Sequence, residues 1–358
     1  MAMNLEKPQI IELAAHSVAY TLFDAKFVPS SARLVALGNH ARNTGAIELC
    51  AIEDGRLVVK KKHEKPAGFK CGTFGGSRME ERHLATGDFK GNLAVWDLER
   101  MSSPVYHAKA HEAIVNCIDG CGGLGIGGGA PELVTGGRDG CVKVWDVRQK
   151  DHPVANMGPA DAADARDCWS VAFGNSFNDD ERCVVAGYDN GDIKMFDLRT
   201  MSVRWETHLP NGVISVEFDR KDIRMNKLLT TGLDSKFDVF DLRTQHKERG
   251  FASLTTVAHK STIWCGAHLP QNRDIFMTAG GNGSLHLWKY KYPAKRTIKL
   301  EDGTEEGVVG SAVELNRVSS STQPIFSFEW SPDKPGLCLT TAADQTLRVM
   351  MVTRLGEQ

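Results

Sequence analysis

The chain has 358 residues, 41% of them hydrophobic, and its 43 basic and 45 acidic side chains leave a formal charge of −2. That balance sets up no global field to draw the molecule onto nucleic acid or an anionic membrane, so its partners are expected to be proteins met patch by patch. No apolar run approaches the roughly 18 residues of a membrane span, and Met1 to Gln9 lacks the apolar core of a signal peptide.

Nine cysteines are an odd number, and most fall in predicted strands, for example Cys71, Cys117, Cys141, Cys183 and Cys265. They read as small buried thiols of a reducing compartment, cytosol or nucleus, rather than a disulfide framework.

One short phrase recurs seven times: a small or polar residue, then apolar, polar, apolar and a bulky residue. Gly45 leads to Cys50, Gly91 to Trp96, Gly140 to Trp145, Gly191 to Phe196, Ser235 to Phe240, Gly283 to Trp288 and Gln345 to Met350. Intervals of roughly 40 to 45 residues, stretched by insertions, are the signature of WD-type propeller blades. The apolar pair of each phrase lies on one strand face and the bulky residue on the other, as a blade packed between two neighbours requires. The fold class predicted is all-β, a single seven-bladed WD-repeat β-propeller over residues 1–358.

In chain order, blade 1 (about 18–62) holds strands Tyr20 to Phe27, Arg33 to Leu37 and Ile47 to Ile52. Blade 2 (about 66–109) holds Lys70 to Phe74, His83 to Thr86 and Leu93 to Leu98. Blade 3 (about 111–158) opens on His111 and continues through Ile114 to Ile118, Glu132 to Thr135 and Val142 to Asp146. Blade 4 (about 166–209) has Cys168 to Phe173, Cys183 to Gly187 and Ile193 to Leu198; blade 5 (about 212–257) has Val213 to Phe218, Lys227 to Thr231 and Phe237 to Leu242. Blade 6 (about 259–300) has Ile263 to Ala267, Ile275 to Thr278 and Leu285 to Trp288; blade 7 (about 323–354) has Ile325 to Trp330, Leu337 to Thr341 and Leu347 to Val352. Only five residues follow Thr353, so blade 7 lacks a fourth strand; the segment Gln9 to Ala15 is predicted to supply it and close the ring. Gly122 to Gly129 and the link Lys291 to Thr322, with Glu301, Asp302, Glu305 and Glu306, are expected to be mobile surface loops.

Catalytic motifs are sought without success. The glycine run has no Gly-Lys-Ser/Thr ending and leads into a strand, His111-Glu112 is followed by no second histidine, and no Gly-x-Ser-x-Gly elbow occurs. No cofactor or metal site is predicted. Lys289, Lys291, Lys295, Arg296 and Lys299 alternate with Tyr290 and Tyr292, which reads as a solvated edge rather than an RNA surface.

His111, Thr135, Asp139 and Trp145 match the internal hydrogen-bonded set of WD repeats, and His259, Thr278 and Trp288 match it again with Asn282 in the aspartate's place. These are scaffolding. Propellers commonly bind partners on the face carrying the turns between second and third strands, where Phe89, Lys90, Arg138 and Tyr188 are the candidates, with Trp169, Trp264 and Trp330 as aromatic anchors at the channel mouth. Three turns carry Asp-x-Arg: Asp146 with Arg148, Asp197 with Arg199, and Asp241 with Arg243. This resembles the box by which WD-repeat substrate receptors engage the adaptor of a cullin-ring ubiquitin ligase, the alternative function; the plain reading is a solvated ion pair.

Beyond the generic repeat the chain resembles the Monad family of WD-repeat assembly factors for axonemal dyneins. The resemblance rests on Glu6 to Ile11, Lys70 to Gly75, Gly129 to Glu132, Arg148 to Asp151, Arg166 to Trp169, Ala186 to Asp192, Arg204 to Thr207, Phe218 to Ile223 and His268 to Arg273, and departs at Ala160 to Ala165, at residues 294–319 and at both ends. Many of these residues are in loops that a generic propeller would not constrain. The resemblance implies a monomeric, non-catalytic cytoplasmic adaptor of dynein assembly foci. Its implied partners are the co-chaperone of RuvB-like ATPases and prefoldin-like subunits, met through a TPR-containing RNA polymerase II-associated subunit, with dynein heavy chains as clients.

Overall fold

Strands with two apolar faces cannot stand alone in water, and here they stack sheet against sheet. The computed structural model describes residues 7–149, 152–178, 180–246, 249–301 and 303–357, the side chains of 162 and 357 apart. Of the residues named above, Met1, Glu6, Asp151 and Asp302 lie outside it. Seven four-stranded antiparallel sheets form the blades. Their inner strands are Thr21–Phe27, Phe69–Thr73, Val115–Cys121, Cys168–Gly174, Val213–Phe218, Ile263–Leu269 and Ile325–Trp330; they neighbour one another in a closed cycle around a central channel. Seven hydrophobic clusters fill the seven junctions between blades, one each. At the junction of blades 2 and 3, for example, Leu93 and Val95 meet Val115, Leu133 and Trp145.

The ring closes as the sequence predicts. Ile10–Ser17 is the outer strand of blade 7, antiparallel to Thr346–Val352 with Ile10 opposite Val352 and Ser17 opposite Thr346. Thr353 N–H donates to the Gln9 carbonyl at 2.9 Å, and Asn316 Nδ2 donates to the Pro8 carbonyl at 2.6 Å, which ties this strand to blade 6 as well.

The residue leading each repeated phrase takes the left-handed conformation in six blades, with φ of 82° at Gly91, 76° at Gly140, 99° at Gly191, 65° at Ser235, 74° at Gly283 and 60° at Gln345. Gly91 has a second reason to be glycine, because a Cβ there would lie 2.1 Å from the His111 carbonyl oxygen. Blade 1 differs. Gly45 already pairs within a strand, opposite Asn39, and the left-handed residue of its longer turn is Asn43.

Both predicted mobile loops are built into the ring. Residues 291–322 are not a link between blades: Ser311–Ser319 pairs with Ser284–Lys291 as the outer strand of blade 6, which therefore runs well past residue 300. The excursion before it folds as a hairpin of Thr297–Lys299 on Glu305–Gly307, laid against blade 5, where a Cβ on Gly307 would meet Thr244. The glycine run is held on both sides. Leu124 N–H donates to Ser77 O of blade 2 at 2.9 Å, Gly128 N–H to Ser176 O of blade 4 at 2.6 Å, and Arg182 of blade 4 reaches both Glu132 and the Gly128 carbonyl.

Candidate functional site: the channel mouth

The upper face carries the loops into the inner strands and the turns between second and third strands; the lower face carries the other connections. On the upper face each inner strand has an irregularity in pairing within its first three residues. The pairing skips Phe23, Lys70, Asn116, Trp169, Ile214, Trp264 and Phe326, one per blade. A bulge leaves its extra residue unpaired and re-aims the side chain, and all seven line the channel, half-buried. Five of the seven are large and apolar.

The ring's members brace one another. The Trp264 and Phe326 rings meet edge to face at 5.4 Å, Phe326 stacks on Phe23 at 6.1 Å, and Phe23 touches Phe89 at 5.2 Å. Lys70 Nζ lies 4.7 Å from the centre of the Phe23 ring, and burial lowers its pKa. Asn116 Nδ2 donates to the Cys168 carbonyl at 3.1 Å. Preset aromatic surface of this kind loses little side-chain entropy when a partner covers it.

Of the candidates read from the sequence, Phe89, Lys90, Arg138, Trp169 and Trp264 are on this face. Lys90 and Arg138 are exposed, and Arg138 Nε is 3.6 Å from Asp167. Two of these candidates, one face residue and one anchor, need correction. Tyr188 reaches the same end but is 7% exposed, packed with Cys168, Val171 and Phe196 at the junction of blades 3 and 4. Trp330 ends its inner strand at the opposite, lower end; it is 3% exposed, edge-on to Phe328, and donates Nε1–H to the Ala267 carbonyl at 3.0 Å. Both rings are core, because their positions on the strands face a neighbouring blade. Phe23 and Phe326, which complete the mouth, were missed: strict alternation hides a bulge.

The two predicted hydrogen-bond sets form. An indole N–H only donates, so Thr135 Oγ1 accepts from Trp145 Nε1 at 2.9 Å and passes its own proton toward His111 Nε2 at 2.8 Å. His111 Nδ1–H is then left for Asp139 Oδ1 at 2.8 Å. Burial alone would raise the Asp139 pKa, but the His111 hydrogen bond and the N–H groups of Cys141 and Glu112 hold it at about 2. Blade 6 repeats the chain from Trp288 through Thr278 (3.0 Å) to His259 (2.8 Å), then inserts Ser284, which His259 Nδ1 meets at 3.1 Å and which donates to Asn282 Oδ1 at 2.7 Å. Blade 2 keeps only the Trp96 to Thr86 bond, at 2.9 Å. In all three blades the threonine stands ten residues before the tryptophan, a spacing that marks the missed pair.

The channel, mouth included, has a volume of about 950 Å³, and below the mouth several charged side chains reach its wall. The fifth residue of the inner strand is acidic in blades 3, 5 and 7, and each carboxylate accepts from a backbone N–H of the next blade. Asp119 takes Phe173 N–H at 2.9 Å, Glu217 takes His268 N–H at 2.6 Å and Glu329 takes Phe27 N–H at 2.6 Å. Asp24 does the same for Gly72 at 2.9 Å. Burial pushes Glu329 up to about 7 against the pull of Lys26 and the Phe27 N–H. These carboxylates are occupied in stapling blades together.

The three Asp-x-Arg turns, all on the lower face, differ. Arg148 clasps Asp146 through Nε at 2.9 Å and Nη2 at 2.7 Å; Asp197 accepts the backbone N–H groups of Arg199 and Thr200; and Arg243 turns away from Asp241 to donate Nη2–H to the Arg224 carbonyl at 3.1 Å. Metal-ligand types gather at one place among the described residues: His16, Glu48 and Cys50 have donor atoms within 4.8 Å of one another. Lys62 at 2.8 Å and His16 at 3.2 Å already satisfy the two Glu48 oxygens, and burial pushes the Cys50 thiol up to about 11, so the group reads as a closed ion-pair set joining the N-terminal strand to blade 1. All nine cysteines are free thiols.

Residues 102–146 match the family described as WD domain, G-beta repeat. Along its whole length the chain is similar to proteins named dynein axonemal assembly factor 10. It is 62% identical to the Xenopus laevis protein over 355 residues, 99% of each chain. It is 59% identical to the human protein over 352 residues, 98% of this chain and 99% of that one. The chain belongs to the dynein axonemal assembly factor 10 family. The relative from Chlamydomonas reinhardtii is 54% identical over 357 residues, 99% of this chain and 100% of that one, so the similarity runs through every blade.

Proposed function

We propose that the chain is a non-catalytic adaptor in the cytoplasmic preassembly of axonemal dynein arms, and that the bulge ring at the upper mouth is its principal docking surface. The observation that carries this reading is the concentration of half-buried aromatic residues, each placed by a bulge, on a protein whose relatives are named for dynein assembly. Aromatic anchors in preset pockets supply most of the energy of protein interfaces. The expected partners are the co-chaperone of RuvB-like ATPases and prefoldin-like subunits, through its TPR-containing subunit, and dynein heavy chains as clients. Holding the two together raises their effective concentration without chemistry.

The test is co-purification of the co-chaperone and dynein heavy chains with a Trp169→Ala/Trp264→Ala variant, alongside Arg138→Glu. Loss of either partner with a melting curve close to that of the parent supports the mouth as the docking surface. Full retention of both partners overturns it.

A further inference from the structure

On the lower face, where blade 5 meets blade 6, four arginines come from four separate segments. Arg224 lies between the first two strands of blade 5, Arg243 in its third strand, Arg273 at the start of the second strand of blade 6 and Arg296 in the excursion that carries the blade 6 hairpin. That excursion reaches over blade 5 for this purpose: Arg296 Nη1 donates to Asn226 Oδ1 at 2.8 Å, its Nε is 3.5 Å from Asp241, and its guanidinium lies 4.5 Å over Tyr292.

The nearby carboxylates already have cationic partners. Lys227, fully buried, pairs with Asp219 at 3.3 Å and Asp274 at 3.0 Å. Asp219 also takes the N–H groups of Arg220 and Lys227 and the Asn226 amide, and Asp241 takes the Arg243 N–H. Five cations (Arg224, Lys227, Arg243, Arg273 and Arg296) therefore stand against three anions (Asp219, Asp241 and Asp274), and Arg224, Arg243 and Arg273 have no carboxylate partner among the described residues. Burial and the fields of Arg224, Arg296 and Arg273 lower the Arg243 pKa. Like charges held together in this way are relieved by an incoming anion, and guanidinium forks suit carboxylate and phosphate.

We infer that Arg224, Arg243, Arg273 and Arg296 form a second docking site, opposite the aromatic mouth, for a peptide segment bearing closely spaced anionic groups, either carboxylates or phosphates. A peptide fits better than a nucleic acid. Tyr290 is buried and Tyr292 is covered by Arg296 and Lys227, so no ring is presented for base stacking, and the whole chain carries no basic field. The site is independent of the mouth and of the assembly reading.

The experiment measures fluorescence anisotropy of four labelled 12-residue probes with the full chain: a Glu-rich peptide, its phosphoserine counterpart, a Ser/Gly peptide of equal length and a single-stranded RNA. Binding of the Glu or phosphoserine probe that weakens with salt, and about tenfold or more on Arg224→Gln/Arg243→Gln/Arg273→Gln, supports the site; which of the two binds more tightly identifies the anion. Arg199→Gln, on blade 4 of the same face, should bind as the parent does. Equal binding by parent and triple variant, neither anionic peptide exceeding the Ser/Gly probe, or RNA binding as tightly as the peptides overturns it. Should the triple variant fail to fold, the single Arg243→Gln and Arg273→Gln variants carry the same comparison.

Discussion

Blades 3 and 6 run the same hydrogen-bond chain from tryptophan through threonine to histidine and end it differently. Blade 3 ends on a carboxylate whose charge is held by three donors, whereas blade 6 ends on a neutral amide reached through an added serine. The consequence is on the histidine. Burial, with a smaller push from the His286 ring 3.9 Å away, drives the His259 pKa down to about 3, so this imidazole stays neutral where an exposed one would be charged. The repeat therefore requires a donor path of fixed geometry, and the charge at its end is optional.

The largest test removes the shared start. Trp145→Ala and Trp288→Ala should each cost about 3 to 5 kcal/mol by urea unfolding, because each indole fills a junction between blades. A near-zero loss in blade 6 alone would show that Phe237 and Phe276, which pack on Trp288, carry that junction without it. Next, Thr135→Val and Thr278→Val each strand an indole N–H and a histidine nitrogen, at about 1 to 3 kcal/mol. Similar losses in the two blades would support the shared path; a loss confined to blade 3 would break it.

The blades should then separate with pH. An unfolded histidine binds a proton below about 6.5, which folded His259 refuses until about 3. The unfolded state thus holds more protons in that window, and stability falls as acid is added, by up to about 1.4 kcal/mol per pH unit. Asp139 acts in the same direction but in a lower window: its depressed pKa stabilises fully above about 4, and that stability drains only as pH falls toward 2. Urea midpoints at pH 7 and 5.5 should show a marked loss in the parent and a smaller one in His259→Gln. The smallest effect belongs to Asn282→Asp, expected to change pH 7 stability by less than about 1 kcal/mol while raising the His259 pKa, which NMR titration of the ring reads directly.

What the sequence makes legible follows its periodicity. Seven phrases with a fixed apolar pattern place seven sheets, and the want of a fourth strand at the C-terminal end locates its substitute at the N-terminus. Departures from that period are silent. A bulge adds one residue without altering composition, so the ring of Phe23, Trp169, Trp264 and Phe326 emerges only when the register is known. The outer strand of blade 6 is separated from its partner by a hairpin, and burial of Tyr188 and Trp330 depends on which neighbouring blade lies across from them. The carboxylates at the fifth inner-strand position recur in alternate blades, a pattern too sparse to see in one sequence.

Closure by the N-terminal strand also has a temporal meaning. Ile10 must find Val352, so this strand waits until a partner far downstream in the chain has been made. On the ribosome the molecule can be at most an open arc with an exposed sheet edge at each end, and those edges are where unwanted association begins. The arc becomes a wheel only once Thr346–Val352 has emerged to take the waiting strand.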